Sequence, residues 1–486
     1  MNLSRRTLLG FAWLSTGLLL ASGAEEPKKL AITHVSVVDT KSGELKVNQT
    51  IVLASGKILR IFPSADYRPE PGAQVIDARG KFLIPGLWDM HVHIAGISAD
   101  PKWSKDVILP LLTAMGVTGV RDMGGDLTVL QAWRREIESG KRIGPHIVAG
   151  GPMLVSRGKK TPEQIPITNA EEAREAVRSL KLAGADFIKI IDLPSREAFF
   201  AVADEAKRQK LPFVGHVPSV VTASEASDAG MHSIEHVVYS NLEMDCSAKE
   251  DELRARERAA RATHEAGTSA RLLQEAMTSY DPQKAAALWE RFRRNGTWLV
   301  PTLVSIEALS RHNAAPETQA NDPRLEFVPD SLRKEWDPRT PENKFSEGEQ
   351  RWWAQQYIND GKMTAAMHKG GVAFLAGSDS LDHFVFPGFA LHRELELLTE
   401  AGMTPLEALR AATSDAARFL GREGEFGVVA SGARADLLLL DENPLAEISN
   451  TTKISAVIRD GVYLDRAALD LMLKRAKAAA KAASLH

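Results

Sequence analysis

Phe82-Leu-Ile-Pro-Gly-Leu-Trp-Asp-Met-His-Val-His93 is the stretch from which the fold is read. Pro85-Gly86 interrupts the chain, and a short apolar strand follows that ends in His91-Val92-His93. Side chains alternate along a strand, so Asp89, His91 and His93 are expected on one face. Two neutral imidazoles side by side at a strand end can hold one divalent cation. An acid two residues ahead of them is placed to orient a ligand.

Outward from this strand, apolar strand-like runs alternate with helical ones, the pattern of a parallel barrel. The runs expected to follow Leu87–His93 are 117–123, 146–150, 186–191, 213–217, 233–237, 298–303 and 373–379, which completes eight. Asn169 caps a helix that ends before Gly184. The chain thus reads as α/β, a TIM-like (β/α)8 barrel, whose active site lies at the C-terminal ends of the strands. His93, Lys189, His216, His236 and Asp379 all fall at or near such ends. His146 begins its strand, at the opposite end, and is set aside.

Short alternating strands separated by Ser42-Gly43 and Ser55-Gly56 occupy 29–81, and two more lie at 435–440 and 454–462. Neither group can bury a core alone. The expectation is one small composite β-sandwich from 28–82 and 424–465, with the barrel, 83–423, inserted and a basic Ala-rich helix over 466–486. Two long connections, 239–297 and 304–372, are rich in helix formers and are placed to roof the barrel mouth.

The chain has 486 residues, 44% hydrophobic and 25% charged, with a formal net charge of −3. That describes a globular protein and gives no electrostatic case for nucleic acid. The lone Cys246 excludes an intramolecular disulfide and a thiolate cluster, so a metal must be held by His, carboxylates or a modified Lys. Arg5-Arg6 precede an apolar run, Leu8 to Ala21, and then Ser22-Gly23-Ala24. Residues 1–24 therefore read as an export signal. The run is short for a membrane span, and Ser-Arg-Arg-Thr-Leu-Leu is similar to a twin-arginine signal, which puts the mature chain in the periplasm or outside the cell.

Pro-Gly-Leu-Trp-Asp-Met-His-Val-His, Phe187-Ile-Lys-Ile190, Ile234-Glu-His236 and Gly377-Ser-Asp379 together resemble the amidohydrolase superfamily, in its imidazolonepropionase-related and prolidase-like branch. The resemblance implies a metal-dependent hydrolase of a C–N bond in a small-molecule substrate, such as a dipeptide or an N-acyl amino acid. It implies two divalent ions, one on His91, His93 and Asp379, the other on His216 and His236, with a carboxylated Lys189 joining them. Zinc suits such a set, as do manganese, nickel and iron. The resemblance further implies attack on the carbonyl by a hydroxide held between the ions, with Asp379 as proton carrier and Tyr239 as an oxyanion donor. Lys189 sits among apolar neighbours, where burial lowers its pKa and leaves an amine able to react with carbon dioxide.

Arg121, Arg157 and His383 are further substrate-binding candidates, although Arg121 also fits an internal pair with Asp122. Some dipeptidases of this branch carry Gly-Gly-His after the third strand, where this chain has Gly150-Gly151-Pro152. A cyclic amidase, a lactonase, a mononuclear deaminase and a non-catalytic periplasmic binding protein therefore stay open. No nucleophile elbow supports a serine hydrolase. Oligomeric state is not readable.

Overall fold

Leu30–Val38 alternates branched apolar residues with polar ones, and its apolar side has to be covered by something. The covering comes from both ends of the chain. A computed structural model describes residues 29–96, 100–263, 268–312 and 314–483, so the expected export signal lies outside the described residues. One eight-stranded sheet contains Leu30–Val38, Leu45–Ala54, Lys57–Pro63, Gln74–Asp77 and Phe82–Pro85 together with Leu437–Leu440, Ile454–Arg459 and Val462–Asp465. Phe82–Pro85 lies between Leu30–Val38 and Leu437–Leu440. Ile32, Val35, Ile51, Leu83, Leu437 and Ile458 share its core, so residues from both chain ends bury one another's apolar surface.

Only Gly86 separates this sheet from the first barrel strand, Leu87–Val92. The barrel continues through Val117–Asp122, His146–Ala149, Ile188–Ile190, Phe213–Gly215, Ser233–Glu235, Trp298–Val300 and Ala373–Phe374. The paired strands are parallel. Closure comes from Met90 N–H donating to Ala376 O (2.9 Å) and from Asp186 N–H donating to Ala149 O (2.9 Å). The eighth strand is shorter than the expected 373–379, because the chain leaves ladder geometry to carry Ser378 and Asp379 across the mouth.

The expected helix after Asn169 spans Ala170–Ala183, with the Asn169 side chain accepting from Glu171 and Glu172 N–H and Gly184 closing it in left-handed conformation. The first long connection holds helices Leu242–Asp245, Glu250–Thr263, Thr268–Thr278 and Pro282–Asn295, and the second is dominated by Leu303–Arg311 and Glu347–Lys369. Arg466–Ala483 packs on the barrel helix Leu109–Ala114 and buries Leu469, Ala476 and Ala480. Among the described residues no helix is long and apolar enough to cross a membrane.

Candidate active site

The first barrel strand is not regular where its histidines stand. Asp89 pairs with Val120 and Val92 with Asp122, so this strand spends one residue more than its neighbour over the same stretch. Such a bulge re-aims side chains. Asp89 consequently does not touch either imidazole ring. Its carboxylate accepts from Ser378 Oγ (2.6 Å), Ser378 N–H (2.9 Å) and His91 N–H (3.3 Å), which fastens the end of the eighth strand to the first. Gly377 permits this approach, because a Cβ there would lie 2.7 Å from that of His91.

His91 Nε2 and His93 Nε2 each stand 3.4 Å from Asp379 Oδ1, and His236 Nε2 stands 3.8 Å from Asp379 Oδ2. His216 joins them, its ring centre 5.1 Å from that of His236. The residue before it must be glycine: Gly215 has φ +131°, and a Cβ would fall 2.0 Å from Ile190 O. His236 and Asp379 themselves hold left-handed backbone, with φ of 61° and 60°. Each conformation costs a non-glycine residue about 1 kcal/mol, and such strain gathers where side chains must be aimed.

Hydrogen bonds on the far side of the rings set the tautomers. His93 Nδ1 faces only the Gly124 carbonyl (3.1 Å). His91 Nδ1 faces the Glu235 carboxylate (2.9 Å). His236 Nδ1 faces Thr302 Oγ1 (2.6 Å), whose own hydrogen goes to Pro301 O (2.8 Å). In all three Nδ1 carries a proton and Nε2 is turned toward Asp379; at His91 and His236 that nitrogen presents its lone pair. Burial holds His91 and His216 well below the ordinary imidazole range and His236 at about 4. Burial raises the Asp379 carboxyl, but His236 and His93 more than reverse this and leave it at about 2. Burial lowers the His93 ring, but its contact with the Asp379 carboxylate outweighs this and raises it, so the neutral lone pairs facing the ionised carboxylate are those of His91 and His236.

Lys189 is fully buried in the fourth strand, and its Nζ has no hydrogen-bond partner among the described residues; His91 Nε2 is orphaned in the same way. Burial lowers the Lys189 amine to about 8, with Glu235 and Asp379 partly opposing. The orphaned atoms, the aimed lone pairs and the carboxylate form a donor set suited to divalent cations. The ligand atoms of His91, His236 and Asp379 alone lie within 4.8 Å of one another.

Tyr239, at 39% exposure, stacks on the His216 ring (5.6 Å, 15°) and meets the Trp353 edge from the second long connection (6.4 Å). Burial, and then the carboxylates of Asp382 and Asp379, raise its phenol, so it keeps its proton. A cavity of about 220 Å³ beside the site is lined by His93, Gly96, Gly124, Met153, Asp379 and Asp382, among others. Asp382, which sequence reading missed, accepts from Ser305 Oγ (3.1 Å) and His383 N–H (2.8 Å). Arg157 stands exposed with Lys159 and Lys160 on the loop after Met153–Val155, and none of the three forms an ion pair among the described residues. His383 packs on Trp336 and pairs with Asp382, outside that cavity lining.

Arg121 does not reach substrate. It is wholly buried, and its partner is not the adjacent Asp122 but Glu235, held bidentately at 2.8 and 3.0 Å. Asp122 instead accepts from Ile94 and Gly124 N–H (2.8 and 3.2 Å). His146, at the opposite barrel end, bonds Asp436 (2.8 Å).

The sequence pattern of the amidohydrolase family matches residues 82–464, and the chain belongs to that family. Ochratoxinase from Aspergillus niger is 25% identical over 506 aligned positions, which cover 92% of this chain and 86% of that protein. Among solved structures, bottromycin amidohydrolase superposes with a TM-score of 0.71 at 23% identity, covering 94% of this chain and 91% of its own. A Xaa-Pro dipeptidase with bound methionine gives 0.65 at 22% identity, covering 90% and 100%. At those identities the superpositions speak for the barrel fold. Family and site together define a metal-dependent amidohydrolase, a hydrolase of C–N bonds.

Proposed function

We propose that the enzyme is exported and cleaves the amide bond of a small substrate, a dipeptide or an N-acyl amino acid, at a centre of two divalent ions, zinc by preference. The observation that carries this reading is the convergence of the His91, His93 and His236 Nε2 atoms on the Asp379 carboxylate, beside a buried Lys189 amine without a partner. His91, His93 and Asp379 would hold one ion, His216 and His236 the other, and Lys189, carboxylated, would join them. At about 8, roughly one Lys189 in ten is a neutral amine at pH 7, the form that reacts with carbon dioxide. Bound ions would supply Lewis acidity and a lowered pKa for water.

The chain's own residues do the rest. Asp379, ionised, accepts the proton of the attacking water and delivers it to the leaving nitrogen. Tyr239, which keeps its proton, donates to the carbonyl oxygen as charge develops there. Arg157, exposed and unpaired on its loop, offers a bidentate site for a substrate carboxylate.

The test is a hydrolysis screen of dipeptides, N-acyl amino acids and lactones with metal analysis. Activity on amides that chelator abolishes and zinc restores, with two ions per chain, is the expected result. One ion per chain with Lys189→Ala still active points instead to a mononuclear enzyme. No amide turnover at any metal loading defeats the reading.

A further inference from the structure

Of the three imidazoles aimed at Asp379, only His91 leans on a charged group. His93 donates to a backbone carbonyl and His236 to a hydroxyl, whereas His91 Nδ1 lies 2.9 Å from Glu235 Oε2. Glu235 belongs to the sixth strand, 144 positions away, and is fully buried. A carboxylate buried there without a partner would destabilise the fold.

Arg121 supplies its partner. The guanidinium gives Nη2 to both Glu235 oxygens, Nη1 to Ser233 Oγ (3.0 Å) and Nε to the Met90 carbonyl (2.6 Å). Ser233 Oγ closes the ring on Glu235 Oε1. The rings of Phe419 and Phe187 cover the guanidinium, 5.0 and 5.7 Å from its carbon. One side chain thus grips the carbonyl just before His91 and the carboxylate behind the His91 ring.

We infer that Glu235 is a positioning residue for the metal centre: it fixes His91 with Nε2 toward the ions and strengthens that nitrogen as a donor, and Arg121 holds the Glu235 carboxylate in place behind the ring. This rests on the reading of His91 as a ligand. A bare strand-fastening ion pair would need no contact with His91. The observed pair instead spans three strands and ends on the ring nitrogen opposite the coordinating one. Carboxylates in that place typically change metal affinity 10- to 100-fold.

Removing Glu235 alone strands a buried guanidinium and can abolish folding, so the comparison uses two double variants without charge. Arg121→Met/Glu235→Gln keeps an amide oxygen for His91 Nδ1–H, and Arg121→Met/Glu235→Leu removes it. Zinc affinity is measured by chelator competition, and the His91 tautomer by nitrogen NMR of the metal-free protein. We expect the Leu variant to bind zinc about 10- to 100-fold more weakly than the Gln variant and to lose the Nδ1–H tautomer at His91. Equal affinities, or an unchanged tautomer, would overturn the role of Glu235. A wild-type chain that binds no zinc would overturn the underlying assignment of His91.

Discussion

Thr302 Oγ1 stands 2.6 Å from His236 Nδ1, and both residues hold left-handed backbone, with φ of 49° and 61°. The seventh strand supplies no candidate ligand, yet two residues past its end stands the one that sets the tautomer of a ligand. Thr302→Val keeps the branched shape and removes the acceptor. Zinc affinity should fall about 10- to 100-fold, with kcat/KM following at limiting metal, while denaturant unfolding of the metal-free protein changes by about 1 kcal/mol. Unaltered affinity would show that the His236 ring is held by packing alone.

Lys189 offers a prediction whose sign depends on loading. In the metal-free protein its Nζ is buried and has no hydrogen-bond partner among the described residues. Lys189→Met supplies an apolar side chain of similar length, so the metal-free variant should be more stable than wild type by about 1–3 kcal/mol. The same substitution should lower the metal content and abolish turnover. Calorimetry with and without zinc measures both arms, and a destabilised metal-free variant would contradict the burial argument.

Tyr239 stacks flat on His216 and keeps its proton at neutral pH. Tyr239→Phe preserves the stacked ring and removes only the hydroxyl. If the phenol donates to the developing oxyanion, kcat falls about 10²-fold with melting temperature and metal content unchanged. A loss confined to KM would make it a substrate contact instead.

The pH response of stability should carry a signature from the barrel's other end. Burial raises the Asp436 carboxyl, but the bond from His146 and the charge of Arg459 outweigh it, so it titrates at about 2 against an ordinary 3.8. His146 is itself held low by burial, so at neutral pH a neutral imidazole faces a carboxylate. A depressed carboxyl stabilises the fold fully above about pH 4 and loses that contribution as pH falls toward 2, about 2 kcal/mol in all. Asp436→Asn should therefore weaken the protein at pH 7, and the gap from wild type should narrow below pH 4. Denaturant titrations at both pH values test this.

Much of the frame was legible because it obeys local rules. Strand-like runs spaced by helices give the barrel, Asn169 and Gly184 bound one helix where caps and glycine require, and the His-x-His, Lys, Ile-Glu-His and Ser-Asp runs sit at strand ends. Hidden from sequence were the contacts that cross it. Arg121 has an acid beside it in the chain and pairs with one 114 positions away. Asp89 was expected beside the ring nitrogens of the first strand and instead holds Ser378, because a bulge shifts the alternation. Thr302 and Asp382 carried no motif at all. They are visible only once the barrel brings strand ends together.

The composite sheet ties assembly of the catalytic pocket to strands synthesised after the whole barrel. Phe82–Pro85, one glycine ahead of the His91 strand, has Leu437–Leu440 along one edge. A nascent chain that has not reached Leu437–Leu440 leaves that edge bare and the strand entering the barrel unsupported on one side. Ligand capture should therefore lag behind synthesis of the barrel itself, with metal entering a pocket already braced by the composite sheet rather than guiding its formation.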